Sequence, residues 1–155
     1  DMGTQSPRTL GIPSVLKDTF SEHFDPLVLA IGGDQTQHLL YRLQRGHGHL
    51  LEPYVNDKSA VFVVLIGTNN LGSGELPEPT ARGILAVAKF LLANTVGQLL
   101  LLKLLPRGDG RHKLPRLCPP RCSDGSTKPF TSFIPAVERC NAALSEGIEK
   151  LLRNN

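Results

Sequence analysis

Apolar residues along the chain fall into short blocks whose spacing switches between continuous runs and helical periods. Residues 27–31 form an apolar run closed by Gly32-Gly33, which predicts a buried strand. Residues 60–66, AVFVVLI, and residues 98–105 are two further runs. Their lack of alternation predicts strands covered on both faces, the habit of parallel sheets flanked by helices. Between the runs the period lengthens. Val15, Leu16, Phe20 and Phe24 suit a short amphipathic helix from Pro13, and Leu39, Leu40 and Leu43 share one face of a helix over 36–45 with Gly46 as its C-cap. Ile84, Leu85, Val87, Ala88, Leu91 and Leu92 predict a helix over 80–94, and residues 134–152 a last amphipathic one. Turn residues dominate the N-terminal loop, 1–12, and the long Pro-, Gly- and Arg-rich loop, 106–131.

Strand and helix therefore alternate, which predicts an α/β fold with a parallel sheet and helices on both sides. Ligands collect at the carboxyl ends of such strands. Three loops should share that rim: residues 32–35, residues 67–72, and the segment from Arg107 onward.

With 155 residues the chain is the size of one domain, 1–155. Its 40% hydrophobic and 20% charged content is that of an ordinary soluble protein. A net charge of +3 without a concentrated basic face does not point to nucleic acid. Three cysteines cannot all pair with one another, and no apolar run approaches a membrane span. These features predict a cytoplasmic protein in a reducing compartment, with no transmembrane segment.

Candidate chemistry sits in the rim loops. Glycines at Gly32-Gly33 let a backbone N–H approach a substrate, and an asparagine amide in Gly67-Thr68-Asn69-Asn70 offers a neutral donor. Together they are the parts of an oxyanion hole, whose individual donors are each worth roughly a hundredfold to a thousandfold in acyl transfer. Read blandly, both are strand-to-helix turns, with Asp34 or Thr36 as N-cap.

The blocks IGGDQTQHLLYRL, VFVVLIGTNN and LLKLLPRG stand in an order and spacing that resembles the SGNH, or GDSL-type, hydrolases. The likeness is greatest to the catalytic subunits of intracellular, brain-type platelet-activating factor acetylhydrolase. It covers roughly residues 13–105 and, more loosely, the last helix. The resemblance implies a three-layer, flavodoxin-like fold and serine-dependent hydrolysis of a short acyl ester, such as a lipid ester, without metal or cofactor. It also implies oxyanion donors at Gly33 and Asn69, and pairing of subunits with one another and with a β-propeller regulatory protein. Two family blocks have no clear counterpart. Met2 falls where the Gly-Asp-Ser nucleophile is expected, Ser6 is a poor substitute, and the terminal Asp-x-x-His is not found after the last helix. Asp109-Gly-Arg-His112 has that spacing but comes too early, so it reads as a decoy with a relocated Asp109–His112 dyad as the minority alternative. The serine-bearing strand should lie between the strands ending at Ile31 and Ile66. Its loss, with that of the last strand, would leave an incomplete sheet, at about 1–3 kcal/mol for each buried backbone group unsatisfied. A longer source polypeptide, a partner that supplies the strand, or a rebuilt fold would each resolve this.

Two functional classes follow: an acyl-ester hydrolase whose missing groups are supplied, or a catalytically silent module kept as an interaction or structural part of a larger assembly. A nucleotide-binding domain ranks third, since IGGDQT lacks both the dinucleotide fingerprint and a P-loop lysine. Weaker patterns have plainer readings. His47 and His49 suit a solvated turn, Cys118 and Cys122, which with Cys140 or His112 are spaced too loosely for a usual zinc site, suit free thiols in a loop, and Asp34 with His38 suits capping and surface exposure. Arg107, Arg111, Lys113, Arg116, Arg121 and Lys128 outnumber Asp109 and Asp124 in the long loop, an excess suited to solvation or to an acidic protein or headgroup. The length of that loop favours a partner contact.

Overall fold

The computed structural model describes residues 12–20, 22–46, 51–107 and 132–153. Its chain divides into two compact units between Asp34 and Gln35.

In the first unit, α1 (Ile12–Phe20) is the helix expected from Pro13, but it ends at Phe20. His23 and Phe24 then donate their backbone N–H groups to the Phe20 carbonyl, and the Phe20 and Phe24 rings meet at 6.4 Å. The apolar run 27–31 is not a strand: it joins no ladder, and Leu27, Val28 and Ile31 are exposed. An apolar run becomes a strand only where its backbone groups pair in a ladder. A turn closed by Asp34 N–H on the Ile31 carbonyl, 3.2 Å, follows, with Gly33 at φ +86°.

The second unit begins with α2 (Thr36–Tyr41), which runs on as a π-helical turn to Gly46. A short 3-10 turn, Glu52–Tyr54, leads to β1 (Val61–Val64), α3 (Thr68–Gly72), α4 (Pro77–Asn94), β2 (Gln98–Leu101) and α5 (Ile134–Arg153). Pro77 at the helix start carries no N–H that the first turn could use, so proline suits it. Ala81, Ile84, Val87, Ala88 and Leu91 recur at three- and four-residue steps and form the buried stripe of α4. The helix stops where the Thr95 N–H and hydroxyl both bond the Leu91 carbonyl, at 2.9 and 2.8 Å.

β1 and β2 pair in parallel, Val61 against Gln98 through Val64 against Leu101, joined through α3 and α4 as a β-α-β unit. The approach is close at its start. A Cβ on Gly97 would lie 2.5 Å from the Ala60 carbonyl oxygen, so glycine is required there. The core lies at the carboxyl end of this pair, where Leu71, Ile84, Leu104, Phe133, Cys140 and Leu144 pack together with Ile66 and Leu101 at its margin. Asn141 of α5 completes the end of β2. Its amide accepts from Leu104 N–H at 2.8 Å and donates to the Leu104 carbonyl at 2.9 Å, standing in for a neighbouring strand.

These elements bear out an α/β arrangement with a small parallel sheet, but the expectation that both sheet faces are covered is corrected. Val61, Val63 and Leu65 are 52%, 60% and 47% exposed, and Leu100 beside them is 50% exposed. A continuous apolar run signals that both faces can be buried, whereas cover depends on which elements fold against them.

Arg139 of α5 reaches Glu78 in the first turn of α4 through Nε, 3.1 Å, and Nη2, 2.7 Å. That guanidinium holds the Glu78 carboxyl below its ordinary range. Because a depressed carboxyl stabilises the fold only while ionised, the contribution is present at neutral pH and lost as the solution is acidified through the carboxylate range. Both groups are substantially exposed, so Glu78→Gln should cost no more than about 1 kcal/mol at pH 7 and less as the solution is acidified, read by urea unfolding across the carboxylate range.

Candidate functional site

The site begins where β1 ends. Gly67 takes φ +118°, turning the chain sharply into α3, so that Thr68, Asn69 and Asn70 follow the strand within one helical turn. Thr68 is exposed, Asn69 half-buried and Asn70 buried. Leu71 anchors the turn in the core.

Residues 35–37 at the start of α2 meet this turn. The Asn70 Oδ1 accepts the Thr36 N–H at 3.0 Å, and its Nδ2 donates to Thr36 Oγ1 at 3.3 Å and to Gln37 Oε1 at 3.1 Å. Gln35 Nε2 donates to Ser73 Oγ at 2.7 Å and, at a longer 3.4 Å, to the Asn69 carbonyl. The Gln37 side chain also donates to that of Gln35. Second-unit residues of the two glycine-containing loops are thus joined by side-chain amides.

Neither Asp34 nor Thr36 is the N-cap of α2; Gln35 is, and Thr36 opens the helix. The orphan N–H groups find other acceptors, Asn70 for Thr36 and His38 Nδ1 for Gln35 at 3.2 Å. His38 is exposed and engaged in this local bond, which accounts for it without the acid/base pairing with Asp34.

From the other side Arg107, just past β2, closes over the turn. Its Nη1 donates to the Thr68 carbonyl and, at 3.2 Å, to Thr68 Oγ1, while its guanidinium lies 4.4 Å from the centroid of the Phe133 ring. Gly72 leaves room for it, since a Cβ there would approach Nη1 to 2.7 Å. One cation of the basic stretch is therefore a structural contact as well as a charge.

Of the residues singled out by sequence, Asn69 lies on this turn and Gly33 in the first unit. Met2, Ser6, Asp109, His112, His47, His49, Cys118, Cys122, Lys113, Lys128, Asp124, Arg111, Arg116 and Arg121 lie outside the described residues. Cys140 is fully buried in the core of α5, which removes it from any surface metal set. Burial, with the Glu78 carboxylate adding, pushes its thiol up to about 11. Thiolate is the reactive form, so at pH 8 Cys140 should resist alkylation. In a C118S/C122S variant, iodoacetamide should modify it only after urea unfolding; modification of the folded chain at a free-thiol rate would contradict the burial. Among the described residues no group of three His, Cys, Asp or Glu could hold a metal, and no helix is long and apolar enough to cross a membrane.

Sequence reasoning missed Asn70, whose only signal was the doubled asparagine, and Gln35, whose side chain carries no signal in a turn.

A parallel β-α-β unit with amide donors on the turn after its first strand is the setting in which α/β proteins bind ligands. Comparison with curated proteins is more specific. The chain is 41% identical to platelet-activating factor acetylhydrolase IB subunit alpha2 of Gallus gallus over 101 residues, 63% of this chain and 41% of that protein. It is 40% identical to the Homo sapiens alpha2 subunit over the same length, and 35% identical to the alpha1 subunit of Bos taurus. The chain thus spans about two fifths of the length of these relatives. No family profile matches it, and no solved structure does.

Proposed function

We propose that the chain is part of an SGNH-type acyl-ester hydrolase domain of the platelet-activating factor acetylhydrolase kind, and that it carries the oxyanion-binding side of the site. The observation that carries this reading is the Gly67 turn: a glycine with positive φ three residues past a parallel strand, followed by Asn69, in a chain 41% identical over 101 residues to an acetylhydrolase subunit. In this reading the sheet belongs to a three-layer, flavodoxin-like fold. A serine attacks the acyl carbonyl, a histidine oriented by an aspartate takes its proton, and charge on the carbonyl oxygen is met by the Asn69 amide and the Gly33 N–H. The role of Gly33 rests on its motif. Residues 1–155 contain no Gly-Asp-Ser, and Asp109–His112 is retained only as the minority dyad. The substrate class is a short acyl ester of a lipid, and no cofactor enters the chemistry.

The relatives' designation as subunits favours one second reading, a catalytically silent module that serves a larger assembly. Treating the native polypeptide with a fluorophosphonate probe separates the two. Labelling of a band that contains these residues, together with hydrolysis of a short acyl ester, supports the hydrolase. A native polypeptide that is folded and does neither supports the silent module.

A further inference from the structure

We propose that Asn70, and not only its neighbour Asn69, serves the site: its buried amide is a positioning residue that locks the start of α2 onto the turn carrying the Asn69 donor. The positioning role rests on the reading of Asn69 given above.

Three observations converge on it. First, the Asn70 amide spends its acceptor and both donors on α2, with Thr36 N–H at 3.0 Å, Thr36 Oγ1 at 3.3 Å and Gln37 Oε1 at 3.1 Å. This fixes which end of the amide is oxygen, because only an acceptor can meet the Thr36 N–H. Second, Asn70 and Thr36 are 4% and 5% exposed, so water cannot replace either partner. Third, the junction is built to close range from α4. A Cβ on Gly83 would lie 2.3 Å from Thr36 Oγ1 and 2.8 Å from Thr36 Cβ, so α2 could not sit where it does over any residue but glycine.

The physical consequence is a shared register. The first N–H groups of α2 have no partner inside the helix, and one of them is satisfied by a side chain 34 residues away. Helix α2 can therefore start at Thr36 only when the Gly67 turn is formed, and the turn is held from the side on which Asn70 projects. Successive residues of a helical turn point about 100° apart, so Asn70 can grip α2 while Asn69 is directed elsewhere. A donor contributes to catalysis only when held at its working geometry before the reaction, and Asn70 supplies that holding.

The test uses Asn70→Leu, which removes all three bonds, and Asn70→Asp, which keeps an acceptor for the Thr36 N–H and puts a carboxylate oxygen in place of the two donors. Amide exchange in the labelled polypeptide should show the Thr36 N–H exchanging about tenfold to a hundredfold faster in Asn70→Leu, while Val87 and Leu144, deep in α4 and α5, change far less. Asn70→Asp should return Thr36 most of the way. An unchanged Thr36 overturns the clamp, and acceleration matched at Val87 and Leu144 reduces Asn70 to general stability and overturns the positioning role. In a polypeptide that hydrolyses esters, Asn70→Leu should lower kcat by about tenfold or more with KM little changed and Asn70→Asp should recover part of it. Thr36 opening with kcat unmoved overturns the link to Asn69. Should the wild type neither label nor hydrolyse, the hydrolase reading fails by itself. The positioning claim is then decided by the Asn69 side-chain amide resonances: a shift in Asn70→Leu that Asn70→Asp reverses supports it, and no shift overturns it.

Discussion

Gly67→Ala should destabilise the fold by about 2–5 kcal/mol, read as a drop in the urea midpoint at unchanged m-value. Two costs add. At φ +118° an L side chain is strained, by about 1–2 kcal/mol. A Cβ there would also stand 2.9 Å from Ile84 Cδ1 and 3.1 Å from Thr80 Cγ2, and crowding a packed core costs about 1–3 kcal/mol more. Ile84 and Thr80 are themselves buried on α4, so neither can swing away freely. Gly33 is the contrasting case. Its φ is +86°, yet nothing lies within 4 Å of the position a Cβ would take, so Gly33→Ala should cost only the conformational part. A loss below about 0.5 kcal/mol for Gly67→Ala would mean that the turn relaxes, and the rigid placement of Asn69 would go with it.

If Asn69 is the oxyanion donor of the proposed hydrolase, Asn69→Ala should slow ester hydrolysis and fluorophosphonate labelling of the native polypeptide by about a hundredfold to a thousandfold, with KM little affected. In the proposed reading the interaction is made to charge that develops only as the carbonyl becomes tetrahedral, so it would be felt in the rate and hardly in substrate binding. Asn69 is half-buried, and its loss should lower the unfolding midpoint less than the Gly67 change does. A rate within a few-fold of wild type would remove Asn69 from the chemistry and leave the turn as a structural feature.

How far these features were legible in the chain differs element by element. α4 and α5 were read nearly in full, because a long helix repeats its buried stripe often enough for periodicity to show. Pro77 and Pro79 concealed the first turn of α4, since proline reads as a breaker even where helix starts accept it. The runs at 60–66 and 98–105 found both strands of the sheet, though each ordered strand is shorter than its run. The run at 27–31 had the same composition without the same outcome. α3 was invisible, for five residues hold no period, and it exists because Gly67 turns the chain and Leu71 reaches the core.

The candidate site divides along the same line. GGD and GTNN drew attention to the two loops through the family resemblance, because glycine-rich turns by themselves are common in α/β chains. The resemblance picked out Asn69, but nothing in the order of residues gave Asn70 a role of its own or separated Arg107 from the basic residues that follow it. Burial made that separation: an amide enclosed against α2 must satisfy each of its polar atoms there, and a guanidinium above Phe133 and Thr68 is held in place. Local sequence by itself determined where helices and apolar runs could form, because propensity and periodicity act over a few residues. Only the tertiary structure decided which run became a strand, which face found cover and which asparagine became a clamp, since hydrogen-bond partners and excluded water come from segments far apart in the chain.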